Sequence, residues 1–199
     1  MQVIGIVGGI ASGKSAVAEH FRRLGAEIVQ ADLMGHEVLR EAELKRAIRD
    51  RWGEAVFDAN GNVDRASVAS IVFAPPPKGP NELACLEQIT HPRIGTKLRE
   101  HIAELSRRDG LKAVVLDAAV LFEAGWDVFC DKIVFVEAPR RQRRQRALQR
   151  GWSEAEFSAR EAAQESLDDK RKRADWVISN SGSSEDTFAQ VRQIWYAFS

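Results

Sequence analysis

The segment Gly8-Gly9-Ile10-Ala11-Ser12-Gly13-Lys14-Ser15 follows directly on the apolar run Val3–Val7 and leads into the amphipathic stretch Ser15–Leu24. It matches G-x-x-x-x-G-K-[ST], a loop that wraps phosphate when a strand delivers the chain to it and a helix carries the chain away. Each residue type has a reason. The glycines admit backbone angles that turn successive N–H groups toward phosphate oxygens. The helix that opens at the loop aims the positive end of its dipole at the same anion. Lys14 can reach β- and γ-phosphates, and Ser15 can ligate Mg²⁺. The pattern therefore sets Gly8, Ala11, Ser12, Gly13, Lys14, Ser15 and Ala16 around a nucleotide such as ATP.

Such a loop requires an α/β fold, and the rest of the chain is compatible with one. Val3–Val7, Ala26–Val29, Ala113–Leu116, Lys132–Val136 and Trp176–Ile178 are short runs rich in Val and Ile. They mostly lack polar alternation, which suits strands buried on both faces of a parallel sheet. Ser15–Leu24 carries Val17, Ala18, Phe21 and Leu24 at helical spacing. Ser184–Phe198 carries Phe188, Val191, Ile194 and Trp195, with Ser183 or Ser184 as its N-cap. Strand–helix alternation predicts a five-stranded parallel core over about 1–35, 110–138 and 174–199. Two insertions interrupt it. About 36–109 predicts a helical subdomain, with Pro75–Pro80 as a rigid or irregular connection and not a helix. About 139–173 is crowded with charge and predicts a helical excursion.

Composition excludes several classes. The 199 residues carry 29 Lys plus Arg and 29 Asp plus Glu, for a net charge of zero. A chain whose main task is gripping nucleic acid is usually basic, so the balance argues against that partner. No run approaches the length of apolar sequence that spans a membrane. The start, Met1-Gln2-Val3-Ile4-Gly5, lacks a basic segment and long apolar stretch of the secretory kind. Cys85 and Cys130 lack metal-ligand spacing and read as reduced core residues, so a cytoplasmic location is expected. No pattern fixes an oligomeric state.

A phosphate loop needs an acid on the metal side. Val114-Val115-Leu116-Asp117 is an apolar strand ending in Asp, which would lie at the ligand-binding edge; the alternative is a cap on the following segment. Asp32 closes the second apolar run. It suits either a carboxylate facing an acceptor hydroxyl or an N-cap for a helix over Leu33–Arg40. In the run Arg140 to Arg146, helical spacing puts Arg143, Arg146 and Arg150 on one face. They suit a lid over a transferring phosphoryl group, a nucleic-acid patch or a solvated basic face. The interleaved aromatics of a single-strand binder are absent from the run. His20, His36 and His101 read as surface or boundary residues. His91 precedes Pro92, where the chain is expected to leave helix and could present the imidazole to a cleft.

Taken in order, these residues resemble the dephospho-CoA kinase family. The resemblance starts with Ile4 to Ser15 and continues through Leu24-Gly25-Ala26, Ala31-Asp32, and Asn60-Gly61-Asn62-Val63-Asp64-Arg65. His91-Pro92, Leu116-Asp117, Leu121-Phe122-Glu123 and Arg146-Ala147-Leu148-Gln149-Arg150 follow, then Gln164, Ala174-Asp175 and Ser179-Asn180-Ser181-Gly182. It implies a nucleoside-monophosphate-kinase-like core with an inserted helical substrate domain and a helical lid. It implies transfer of the ATP γ-phosphoryl to the ribose 3′-hydroxyl of dephospho-coenzyme A, with Mg²⁺. By position, Lys14, Asp32 and Arg146 would be catalytic, Ser15 and Asp117 would hold the metal, and Arg150, Asn180 and Gly182 would join the nucleotide site. Asp32, Arg65 and His91 would meet the acceptor. The chain departs from the family at Val7 for Thr, at Gln30 for Asp, at Ala118-Ala119-Val120 for the element after the strand Asp, and at Arg143 for Gln. A kinase for another small hydroxyl and an RNA-associated ATPase are the competing expectations.

Overall fold

The computed structural model describes residues 1–197. Strands β1 (Gln2–Gly8), β2 (Glu27–Gln30), β3 (Ala113–Asp117), β4 (Lys132–Glu137) and β5 (Trp176–Ser179) form one parallel sheet in the order β2-β3-β1-β4-β5. β1 lies in the middle. The chain first builds toward β2, returns through β3 and then crosses to β4, so the order switches beside β1. At such a switch the connections diverge above the carboxyl ends of the strands and leave a crevice. The phosphate loop emerges at that point.

The inner strands β1, β3 and β4 are largely apolar and buried, whereas the edge strands β2 and β5 are partly exposed and do not meet the expectation of burial on both faces. Helix α1 (Lys14–Arg23) and helix α9 (Ser184–Ala197) pack on the sheet through Val17, Phe21, Val191 and Trp195, against Ile4, Ile6, Val115, Val134 and Ile178. Phe21 and Trp195 meet at 6.5 Å between ring centroids. Ser183 caps α9: its hydroxyl accepts from the Asp186 N–H while Asp186 accepts from the Ser183 N–H. Phe198, the expected end of this helix, lies outside the described residues. His20 is buried, not a surface group. Its ring packs on Phe188 of α9 at 5.2 Å, and burial, with Arg23 beside it, holds its pKa below the ordinary value.

Chain contacts divide the molecule into two compact units, one formed by residues 1–30 with the chain from 99 onward, the other by residues 31–98. The sequence placed the helical part at about 36–109. The second unit holds α2 (Ala31–Val38), α3 (Ala42–Trp52), α4 (Arg65–Val72) and most of α5 (Lys78–Leu105). Its core is Ile48, Val56, Val68 and Val72, with Trp52, Phe57, Leu83 and Leu86 packed around them. Three expectations are corrected here. Asp32 lies inside the first turn of α2 and does not cap it, because the helix begins at once after β2. The proline cluster is irregular only as far as Pro77, because Pro80 occupies the first turn of α5, where an N–H is not needed. Nor does α5 end at His91. Pro92 sits inside it with its ring exposed, and the residues on both sides hold the helix across one missing hydrogen bond.

In the first unit the charged insertion forms α6 (Arg140–Gln149), α7 (Glu154–Ala162) and α8 (Leu167–Lys172). Ser153 and Glu156 make a reciprocal capping box that starts α7.

Candidate active site

The loop between β1 and α1 is shaped from both sides. Gly8 has φ 150°, and a Cβ there would come 2.5 Å from the Val136 carbonyl oxygen. Gly13 has φ 97°, and a Cβ there would collide with the Asn180 side chain. Between them Ala11 holds φ 57°, a left-handed angle that costs an L-residue about 1 kcal/mol or more. The first helical hydrogen bonds run from the Ala16 and Val17 N–H groups to the Gly13 carbonyl, at 3.0 and 3.1 Å. Amides ahead of them have no acceptor within the helix and form an anion-binding N-terminus.

Side chains from three other elements complete the loop. The Ser15 hydroxyl donates to Asp117 Oδ2 at 3.0 Å. β3 brings Asp117 there because it pairs with β1 in a register that sets Asp117 beside Ile6. Arg146 donates to the carbonyls of Ser12 at 3.0 Å, Ala11 at 3.4 Å and Asn180 at 2.9 Å. The Asn180 amide donates to the same Ser12 carbonyl at 2.8 Å, and its oxygen accepts from the buried Thr187 at 3.1 Å. Lys14 Nζ donates to the carbonyls of Gly8 at 3.2 Å and Gly9 at 3.4 Å. Lys14, Ser15, Asp117, Arg146 and Asn180 thus meet at one loop.

A cleft of about 390 Å³ opens beside Gly9 and follows the ends of β4 and β5 to Ser179 and Ser181, with Arg140 and Arg143 along its wall. Arg143 is 4% exposed and structural. It donates to the Ala138 and Ile10 carbonyls and pairs with Glu161 at 2.8 Å. Although burial pushes the Glu161 carboxyl up, hydrogen bonds from Arg140 and Arg143 win and hold its pKa below the usual carboxylate value. Gly182 follows in the same loop as Asn180, facing Asp186. Arg150 stands exposed past the end of α6, with no ion pair among the described residues.

One anchor has no counterpart among the expected site residues. Lys170 of α8 is fully buried, pairs with Glu123 at 2.7 Å and donates to the Ala119 carbonyl at 3.3 Å. Gln164 donates to that carbonyl too, and Glu123 accepts from the Glu165 N–H. The segment from α7 to α8 is thereby tied to the loop after Asp117. The altered Ala118-Ala119-Val120 element offers a backbone carbonyl to it, which no side-chain change removes.

The second unit carries Asp32, exposed in the first turn of α2, Arg65, exposed at the start of α4, and His91, half-buried within α5. Asp64 caps α4 by accepting from the Ala66 N–H.

A parallel five-stranded sheet with this loop at its switch, a Ser–Asp pair and an inserted helical unit defines a small-molecule kinase of the phosphate-loop class. A shikimate kinase from Acinetobacter baumannii shares the fold, with a TM-score of 0.54 and 17% identity over 99% of this chain and 94% of that one. The family model described as dephospho-CoA kinase matches residues 2–186, and the chain belongs to that family. A dephospho-CoA kinase of Symbiobacterium thermophilum is 39% identical over 99% of this chain and 81% of its own length. One from Aquifex aeolicus is 37% identical over 98% and 96%. The structure of a dephospho-CoA kinase from Campylobacter jejuni superposes with a TM-score of 0.70 at 25% identity, over 98% of this chain and 95% of that one. The activity is that of the family: an ATP-using phosphotransferase that performs the final step of coenzyme A synthesis. No helix among the described residues is long and apolar enough to cross a membrane.

Proposed function

We propose that the site transfers the γ-phosphoryl of ATP to the ribose 3′-hydroxyl of dephospho-coenzyme A by positioning and charge stabilisation. The observation that carries this reading is the Ser15–Asp117 contact. The Ser15 hydroxyl and the Asp117 carboxylate come together at the loop, and both are hard oxygen donors of the kind Mg²⁺ takes. Ser15 and Asp117 would hold that ion, which when bound offsets phosphate charge. The loop amides would bind the phosphates, and Lys14 would exchange two long carbonyl contacts for phosphate oxygens. Arg146 and Asn180 hold the Ser12 carbonyl and so fix the direction of the peptide that follows it. The cleft beside Ser179 and Ser181 suits the nucleotide's base, and Gly182 and Arg150 would join the nucleotide site. Asp32 orients the acceptor hydroxyl or takes its proton, and Arg65 and His91 meet the acceptor. A cytoplasmic location is part of this reading.

The test is ADP formation from ATP and Mg²⁺ with and without dephospho-coenzyme A. ADP release that depends on that acceptor, with matching coenzyme A, is the expected result. Turnover indifferent to it, or preference for another hydroxyl, would overturn the acceptor assignment.

A further inference from the structure

The 31–98 unit contains a cleft of about 450 Å³ lined by His36, Leu39, Arg40, Asn62, Val63 and Arg65. Its charge is not neutralised locally. Three other arginines of the unit are paired, Arg49 with Glu54, Arg51 with Glu82, and Arg93 with Glu41 and Glu43, while Arg46 stands exposed outside the cleft. Arg40 and Arg65 have no ion pair among the described residues, and both are exposed. Nearby acids are engaged otherwise. Asp64 accepts from Ala66 and Ser67, Asp58 accepts from the Asn60 and Asn62 N–H groups, and Glu37 and Glu41 pair with Lys97. Lys45 adds a further cation by donating to the Asn62 side chain at 3.0 Å. Two free guanidinium forks and an imidazole around one concavity form a receptor for a polyvalent oxyanion.

Helix α2 supplies a ruler. Asp32 and His36 are four residues apart and share one face, separated by about 6 Å along the axis, and Arg40 follows four residues later just past the helix end. That step is comparable with the span from a ribose 3′-oxygen to the phosphorus on its 5′-oxygen. We propose that this cleft binds the diphosphate of the acceptor, with Arg40, Arg65 and His36 as its ligands, while Asp32 meets the 3′-hydroxyl one helical turn away. The assignment rests on the reading of Asp32 given above. It makes Arg40 and His36 determinants of acceptor choice, since an acceptor without the diphosphate leaves the cations unused.

The experiment compares wild type with R40A/R65A, and with Arg46→Ala as a control that removes an exposed, unpaired guanidinium of the same unit outside the cleft. Adenosine, which has the 3′-hydroxyl but no phosphate, serves as competitor against dephospho-coenzyme A. In R40A/R65A the KM for dephospho-coenzyme A should rise about tenfold or more, while the KM for ATP and the adenosine inhibition constant change by less than about twofold. Arg46→Ala should resemble wild type. An unchanged KM for dephospho-coenzyme A, or an equal loss for adenosine, overturns the proposal. If wild type does not phosphorylate dephospho-coenzyme A, the proposed function fails separately. Calorimetric titration with the same acceptor then decides the cleft: a tenfold weaker R40A/R65A supports it and equal affinity overturns it.

Discussion

The nucleotide-binding loop and the α2 face differ in how their functional groups are held. Around the loop most of the charged and amide side chains are committed before any ligand arrives, while the backbone amides ahead of Ala16 have no acceptor within the helix. Arg146 and Asn180 converge on one carbonyl, Asp117 accepts from Ser15, and Arg143 is buried against Ala138 and Glu161. On the α2 face, Asp32 and Arg40 stand exposed, as does Arg65 across the cleft from it. The first arrangement suits a ligand whose triphosphate is the same in every turnover, because fixed dipoles cost no reorganisation when charge develops. The second, on the reading proposed above, leaves recognition to exposed side chains that binding must fix, at a cost in side-chain entropy. Substitutions should therefore act differently in the two places.

The largest effect is expected at Lys14. Its contacts to Gly8 and Gly9 are long, so Lys14→Ala should fold with an unchanged melting temperature. Its kcat should fall about a thousandfold, the upper range for loss of a single charge-stabilising donor. Steady-state kinetics beside a melting curve checks both halves. A variant with normal turnover would break the view that the loop side is catalytic by preorganisation. Asp32→Asn is next. If the exposed carboxylate acts on the hydroxyl, kcat should drop about a hundredfold with the KM for ATP unaltered. A change confined to the acceptor KM would make Asp32 a binding group only, and would sharpen the contrast between the two regions.

Much of this was legible in the sequence, and the reasons are local. The inner strands β1, β3 and β4 declare themselves because they are largely buried and apolar, whereas the edge strands β2 and β5 are partly exposed and show only as short runs of Val and Ile. The loop declares itself because Gly8 and Gly13 sit where any side chain would collide. The illegible parts depend on partners distant in the chain. His20 is covered by Phe188, more than 160 residues on, and nothing in α1 alone reveals that. Arg143 and Lys170 lie in stretches crowded with charge, so composition cannot say which of them turns inward. Pro92 misled for the opposite reason. The local rule favours a break, but a long helix continues on both sides and the ring faces solvent.

Lys170 gives a test of that hidden anchoring. Lys170→Met leaves Glu123 facing a buried site without its cation, which destabilises by about 3 kcal/mol or more. For a chain of this size that lowers the melting temperature by about 10 °C. Adding Glu123→Leu should recover part of the loss, because the stranded charge is then gone. Absence of recovery would mean that the lysine matters for its contact with the Ala119 carbonyl and not for the ion pair.

The smallest effect is expected at Glu161, where the sign of the pH dependence separates charge from packing. Arg140 and Arg143 both reach this carboxylate, and their hydrogen bonds outweigh burial to lower its pKa from 4.5. A carboxyl with a depressed folded-state pKa stabilises the protein above its unfolded value, and that contribution is lost as pH falls through the folded one. Glu161→Gln keeps the shape and a hydrogen-bonding oxygen but removes the charge. Near neutral pH the variant should be less stable than wild type by about 1 kcal/mol, since the pair is partly screened. The gap should narrow as pH falls below 4.5 and close once the wild-type carboxyl is protonated in both states. Denaturant midpoints for the two proteins along a pH series would show it. A gap that persists into acid would mean that Arg143 is held by its carbonyl contacts and the shape of its cavity, and that the charge on Glu161 contributes little to the preorganised side of the molecule.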